Sequence, residues 1–197
     1  MLYHLFKVLC KIILAVISSG VEISGLEKIP PRGPLIIVSN HQSLLDPLIL
    51  MSVIPRKISF LAASYLFSIP VVGQVLILAG AMPVKSRKGD LGSFKKSLFI
   101  LNKGGVVGLF PEGGVSLDGN IRPLMPGWGY LALKSGAPVL PIMISGSRKV
   151  LPPGRYLPKR GKIHISVFEA LTLPKRDKIR KQDLYQLNQE LIRLWVK

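Results

Sequence analysis

A histidine and a carboxylate five positions apart carry the most specific chemistry in this chain. They stand in Asn40-His41-Gln42-Ser43-Leu44-Leu45-Asp46, an H-x-x-x-x-D arrangement just after a short apolar run. Imidazole changes protonation near neutral pH. A carboxylate turning back from the next helix start can hold the ring, fix its tautomer and stabilise the imidazolium formed when it takes a proton. With no nucleophile placed beside it, the pair suits activation of a hydroxyl on a substrate. Two plainer readings stay open: Asp46 caps the helix that Pro47 opens, and His41 is an ordinary loop histidine. A second acid stands in Phe110-Pro111-Glu112-Gly113-Gly114, at the exit of another apolar run. Its glycines free the backbone for close approach by a ligand; a tight turn with a solvated Glu112 is the alternative. His4 and His164 lack partners at ligand spacing, so no metal site is expected. Cys10 is the single cysteine, which excludes an internal disulfide and reads as an apolar packing residue.

Both loops need strands beneath them. Residues 34–39, 106–110 and 138–144 are short branched apolar runs, as buried strands require. Residues 162–167 alternate, as a more exposed strand would. Asp46 as N-cap and Pro47 at the first helical position open a helix to about Val53. Residues 90–102 read as a helix turning Leu91, Phe94, Leu98 and Leu101 inward, ended by Gly104 and Gly105. Residues 127–135 form a short helix, and residues 183–196 a closing one with Leu184, Leu187, Leu191 and Leu194 on one side. The expected fold class is α/β, a mixed and largely buried β-sheet flanked by helices. Strand-to-helix loops of such sheets are where sites gather.

The 197 residues include 27 Lys and Arg against 10 Asp and Glu, a net charge of +17, and 48% are hydrophobic. With a mean hydropathy of +0.39 and a pI near 10.3, disordered and collagen-like classes are excluded. Such a charge calls for a polyanion, either nucleic acid or an anionic membrane. No zinc-finger spacing, RNP-like segment or helix-turn-helix is present, so no nucleic acid partner is expected. Near the N-terminus, Leu2, Leu5, Leu9, Ile12 and Val16 step along one helical face, flanked by Phe6 and Ile13. Lys7 and Lys11 share another side, towards anionic head groups if the helix lies in the interface. A helix simply packed on the domain is the other reading. The lysines interrupt what a signal peptide would keep unbroken. Residues 58–84 lack charge, yet Pro70, Gly73 and Gly80 break them into strand, helix and strand. A bilayer crossing needs roughly 20 unbroken apolar residues, so monotopic or peripheral attachment is expected, with residues 1–20 as an amphipathic membrane-associating helix.

In this order and separation, the two motifs resemble those of the lysophospholipid acyltransferase family, the 1-acyl-sn-glycerol-3-phosphate acyltransferases. Ile69-Pro70-Val71-Val72-Gly73, Gly80-Ala81-Met82-Pro83-Val84 and Gly136-Ala137-Pro138-Val139-Leu140-Pro141-Ile142 support the likeness, which spans about residues 20–170. The resemblance implies an acyltransferase domain over residues 21–197 and direct acyl transfer without metal or further cofactor. His41 would act as general base on a glycerol hydroxyl, which attacks the thioester of acyl carrier protein or coenzyme A, giving phosphatidic acid. Asp46 would orient His41, while Glu112 and Gly113 position the acceptor. It also implies work at the cytoplasmic face of the cell membrane. Two departures concern the acceptor phosphate. The family commonly continues its glutamate motif with Thr-Arg-Ser, where this chain has Gly114-Val115-Ser116. It also commonly carries an arginine where this chain has Ser86. A bidentate guanidinium suits phosphate, and Lys85, Arg87 and Arg122 are the nearest basic replacements. The departures keep another lyso-lipid acceptor open, and a non-catalytic basic membrane-binding protein is the reading from a different class.

Overall fold

The computed structural model describes residues 2–70, 72–85, 91–155 and 157–196. The chain runs α1 (Leu2–Ile17), β1 (Gly20–Ser24), β2 (Leu35–Ser39), α2 (Asp46–Val53), β3 (Ile58–Ala63), α3 (Val72–Leu78) and β4 (Met82–Val84). It continues through α4 (Leu91–Asn102), β5 (Val106–Leu109), α5 (Gly127–Ser135), β6 (Val139–Ser145), α6 (Ser147–Val150), β7 (Lys162–Val167) and α7 (Lys181–Val196).

The strands form one sheet in the order β1-β7-β6-β2-β5-β3-β4. All neighbours are parallel except β6 and β7, which makes the sheet mixed. Parallel strands covered on both faces read as continuous apolar runs. Accordingly β2, Leu-Ile-Ile-Val-Ser, is buried at all five positions. Its central place puts β6 on one side and β5 on the other, so the loops after β2 and β5 emerge side by side at one sheet end. Strand β1 has no counterpart among the sequence expectations. It is mostly exposed and pairs with β7 through its backbone, so its side chains carry no burial pattern to read.

Alternating strand residues feed two cores. Ile37, Ile58, Phe60 and Ile142 meet α1 and α2 on one face. Ile36, Val38, Val107 and Val139 meet α5 and α7 on the other, where Phe94, Leu98 and Leu101 of α4 also pack. Helix α4 buries the expected Phe94, Leu98 and Leu101 but leaves Leu91 outside. Leu91 is 77% exposed, while Ser93 and Ser97 are buried with Leu101. The Ser97 hydroxyl donates to the Ser93 carbonyl at 2.9 Å, which satisfies it inside the helix and lets a small polar residue take the inward position.

Helix α1 packs through Phe6, Cys10 and Leu14 and leaves Leu5, Val8, Leu9, Ile12 and Val16 exposed. Lys7 does not reach outward as expected. Its ammonium donates to the carbonyl of Ile54 at the end of α2, where helix carbonyls lack internal partners. Partial burial, and Lys11 beside it, lower its pKa. No helix among the described residues is long and apolar enough to cross a membrane.

Candidate active site

His41 follows the last residue of β2 by two positions, and Asn40 between them is fully buried. The Asn40 side chain behaves as an added rung between strands. Its Nδ2 donates to the Ile144 carbonyl at 2.8 Å, and its Oδ1 accepts from the Ile144 N–H at 2.7 Å. The chain then turns, and the Asp46 carboxylate closes the turn. Nδ1 of His41 lies 3.0 Å from Asp46 Oδ2. The same oxygen accepts from the backbone N–H of Gln42 at 2.6 Å and of Ser43 at 2.8 Å. Facing a carboxylate, Nδ1 carries the proton and Nε2 keeps its lone pair. Nε2 has no hydrogen-bond partner among the described residues, and the ring is 13% exposed beside a fully buried Asp46.

The capping reading of Asp46 fails on this geometry. Asp46 is the first residue of α2, Leu45 is the N-cap, and no side chain caps the helix. The carboxylate points backward because three donors converge there, whereas the Ile49 N–H is already bonded to the Leu45 carbonyl.

Glu112 locks the second motif onto the first. Its Oε1 accepts from the His41 N–H at 2.7 Å and its Oε2 from the Arg122 N–H at 2.9 Å. The N–H of Ser116 donates to the His41 carbonyl at 2.8 Å. Both backbone polar groups of His41 are therefore held by the neighbouring loop, and Gln42 Nε2 adds a bond to the Gly119 carbonyl at 2.9 Å. Burial raises the Glu112 pKa, offset in part by the bonds from Arg122 and His41. Among its loop neighbours, Asp118 is held down to about 2 by Asn120 and the Ser116 hydroxyl.

Glu112→Gln tests this lock. An amide presents one acceptor where the carboxylate presents two, so one buried N–H loses its bond at a cost of about 1–3 kcal/mol. Urea unfolding is expected to show that loss, and turnover to fall at least tenfold as His41 loosens. The pH dependence has a definite sign. A raised carboxyl pKa means the folded state binds more protons than the unfolded state between the ordinary and raised values, so stability falls as pH rises through that window. Wild type should show this slope and Glu112→Gln should not, which narrows their difference towards neutral pH.

Beneath the histidine lies a ladder of rings. His41 stacks on Phe110 with centroids 4.1 Å apart, and Phe110 on Phe60 at 5.8 Å. Gly108 of β5 makes room for it. A Cβ there would lie 2.6 Å from Ile58 Cγ2 and 2.7 Å from Phe60 Cε1. Gly108→Ala is therefore expected to lower stability by about 1–3 kcal/mol through overpacking, read from thermal or urea unfolding, and to reduce activity through the displaced rings.

The remaining sequence candidates separate. Gly113 has φ 68°, and a side chain there would strike Met125 Cε at 2.6 Å, so the group approaching it closely belongs to its own loop. Arg122 lies beside Glu112, with its guanidinium 3.2 Å from where a Gly114 Cβ would stand. It lines a groove of about 620 Å³ that begins at Gln42 and is walled by Met143 and Ile192. Lys85 follows β4, three strands from β2 and hence about 14 Å across the sheet at ordinary strand spacing. Arg87 and Ser86 lie outside the described residues. Among the described residues no cluster of His, Cys, Asp and Glu fits a metal. Sequence reasoning assigned no role to Asn40, Gln42, Ser116 or the Phe60–Phe110 ladder. Asn40 and Phe110 flank the motifs, which is the one signal that marked them.

The acyltransferase family model matches residues 20–145. A chloroplastic 1-acyl-sn-glycerol-3-phosphate acyltransferase of Brassica napus is 36% identical over 68% of this chain and 39% of its own length. One from Borreliella burgdorferi is 26% identical over 96% of this chain and 77% of its own length. The chain thus spans about two fifths of the length of the plant relatives it matches. The crystal structure of the 1-acyl-sn-glycerophosphate acyltransferase PlsC from Thermotoga maritima shares the fold. Its TM-score is 0.79 at 24% identity, covering 98% of this chain and 77% of that one. With its matched region running through β2, β5 and both motif loops, the chain belongs to the acyltransferase family.

Proposed function

We propose that this protein moves a fatty acyl group from an acyl thioester to the free hydroxyl of 1-acylglycerol-3-phosphate, forming phosphatidic acid. The observation that carries the reading is the His41–Asp46 pair, with Nδ1 committed to a buried carboxylate and Nε2 left unpartnered. Nε2 takes the proton of the glycerol hydroxyl as its oxygen attacks the thioester carbonyl. The carbon–sulfur bond then breaks, an ester remains, and the imidazolium returns the proton to the departing thiolate. Asp46 supplies the charge that stabilises the imidazolium between these steps. Glu112 acts through the backbone of His41. The donor is acyl carrier protein or coenzyme A thioester, and Arg122 is the basic group best placed for the acceptor phosphate.

A panel of lyso-lipids with labelled acyl donors tests this directly. Strongest transfer to lysophosphatidate is expected. Transfer confined to another lyso-lipid would move the acceptor, a reading that Val115 motivates by standing where the family commonly has arginine. No transfer with either donor would leave a basic membrane-binding protein.

Peripheral attachment at the cytoplasmic face goes with this reading. Exposed Leu5, Leu9, Ile12 and Val16 of α1 and Ile77 of α3 lie on the same side of the sheet. Each aliphatic side chain is worth about 1.5 kcal/mol or more when fully buried. Replacing Leu9 and Ile12 together by glutamate is therefore expected to weaken co-sedimentation with anionic vesicles at least tenfold. Unchanged vesicle binding would detach α1 from the membrane.

A further inference from the structure

The outer face of α4 serves neither the core nor the active site, yet its pattern is specific. Leu91, Lys95, Phe99 and Lys103 recur at four-residue intervals, one row along a helix and its last turn. All four are exposed, Leu91 at 77% and Phe99 at 64%. Lys96 lies beside the row. The ammonium of Lys103 sits 5.8 Å from the Phe99 ring centroid. Met82, Lys95, Lys96, Phe99 and Ile100 line an apolar groove of about 350 Å³ between the helix and the sheet edge at β4. Helix α4 contains no acidic residue. Among the described residues, none of the three lysines forms an ion pair.

Phe99 and Leu91 stand in one row with the lysines beside an apolar groove, which gives this face an apolar centre rimmed by positive charge. Lipid is a poor occupant. Helix α4 packs over the sheet face opposite α1 and α3, so it stays in water when their apolar surface meets a membrane. The surface is complementary to a small acidic protein that sets carboxylates around an apolar side chain. We propose that the Leu91–Lys95–Phe99–Lys103 row docks an acidic acyl carrier protein, the form in which the acyl thioester is presented to this enzyme. The proposal rests on the acyltransferase reading above. Helix α4 begins beyond β4, at the sheet end from which His41 and Glu112 emerge. A thioester on a flexible arm thus enters from the water side while the lipid acceptor enters from the membrane side. Paired charges across such a surface act chiefly on encounter and selectivity.

The test compares two donors that share one thioester. The triple variant Lys95→Glu, Lys96→Glu, Lys103→Glu is assayed with acyl carrier protein and coenzyme A thioesters of the same chain. KM for the carrier-protein donor should rise at least tenfold, and KM for the coenzyme A donor should stay within twofold, which also reports an intact fold. Phe99→Ser should raise only the former, by a smaller factor. Equal effects on both donors, no effect on the carrier-protein donor, or wild-type use of coenzyme A thioester alone overturns the proposal. So does loss of anionic-vesicle binding in the triple variant, which would give this face to lipid. Fluorescence anisotropy of labelled acyl carrier protein separates this surface from the catalytic reading. Binding by wild type that the triple variant loses upholds the surface even where no transfer occurs; absent binding overturns it.

Discussion

Replacing His41 by alanine is expected to lower acyl transfer by a factor of about 10² to 10⁴, the usual contribution of a positioned general base. The effect should appear in kcat, because the ring acts on the proton in flight and contributes little to holding either substrate. The fold should survive. The backbone groups of His41 bond to Glu112 and Ser116 whatever the side chain, and the ring covers Phe110 from a partly exposed position. Circular dichroism and vesicle binding should therefore match wild type while turnover collapses. Turnover that persists would remove the histidine from the chemistry and return the chain to a binding role.

Asp46→Asn should cost nearly as much, for a different reason. Asparagine can set its carbonyl oxygen under the same three donors that Asp46 Oδ2 accepts, so the turn and the tautomer of His41 are retained. Its amide nitrogen then occupies the place of Oδ1, a buried atom with no partner in the described structure. Because Oδ1 is already unpartnered, one orphaned group replaces another and stability should change little. The missing charge matters more. Unit charges about 4 Å apart interact by roughly 4 kcal/mol at an effective dielectric near 20, and this is the stabilisation the imidazolium loses. A fall in kcat of about 10³ is expected, with KM changed little and the fold intact. A fall of less than tenfold would show that the carboxylate organises the turn and leaves the proton transfer alone.

The two variants also separate reading by spacing from reading by contact. In the linear chain Asp46 precedes a proline at a helix start, and capping and catalysis predict the same residue there. Only the direction of the carboxylate distinguishes them, and that direction is set by the N–H groups of Gln42 and Ser43. Glu112 shows the same limit. The family resemblance associates it with the acceptor, whereas in the fold both its oxygens face backbone N–H groups 71 and 10 residues away in sequence. Helix α4 departs from its pattern at one position, Leu91, while Phe94, Leu98 and Leu101 pack inward as expected. Leucine outranks serine in any hydrophobic pattern, yet Leu91 is exposed while Ser97 is buried, its hydroxyl satisfied by the Ser93 carbonyl within the same helix.

The linear chain is enough for the central strands, the main helices and the pair of motifs, though not for β1 or α6. Short branched apolar runs at 34–39, 106–110 and 138–144 read as buried strands, and the candidate site lies where the loops after the first two begin. The excess of lysine and arginine calls for a polyanion whatever the fold. Beyond Asp46, which the spacing already offers, the tertiary structure decided which residues hold the histidine. Asn40, Glu112, Ser116 and Phe110 meet His41 or its strand through bonds and stacking that join β2 to β5 and β6. Such contacts depend on strand order, and strand order leaves no local trace in the chain. The sheet also decided which exposed groups share a side. It set the apolar face of α1 and α3 opposite the basic row of α4, because successive residues of a strand point to opposite faces and each helix covers one of them.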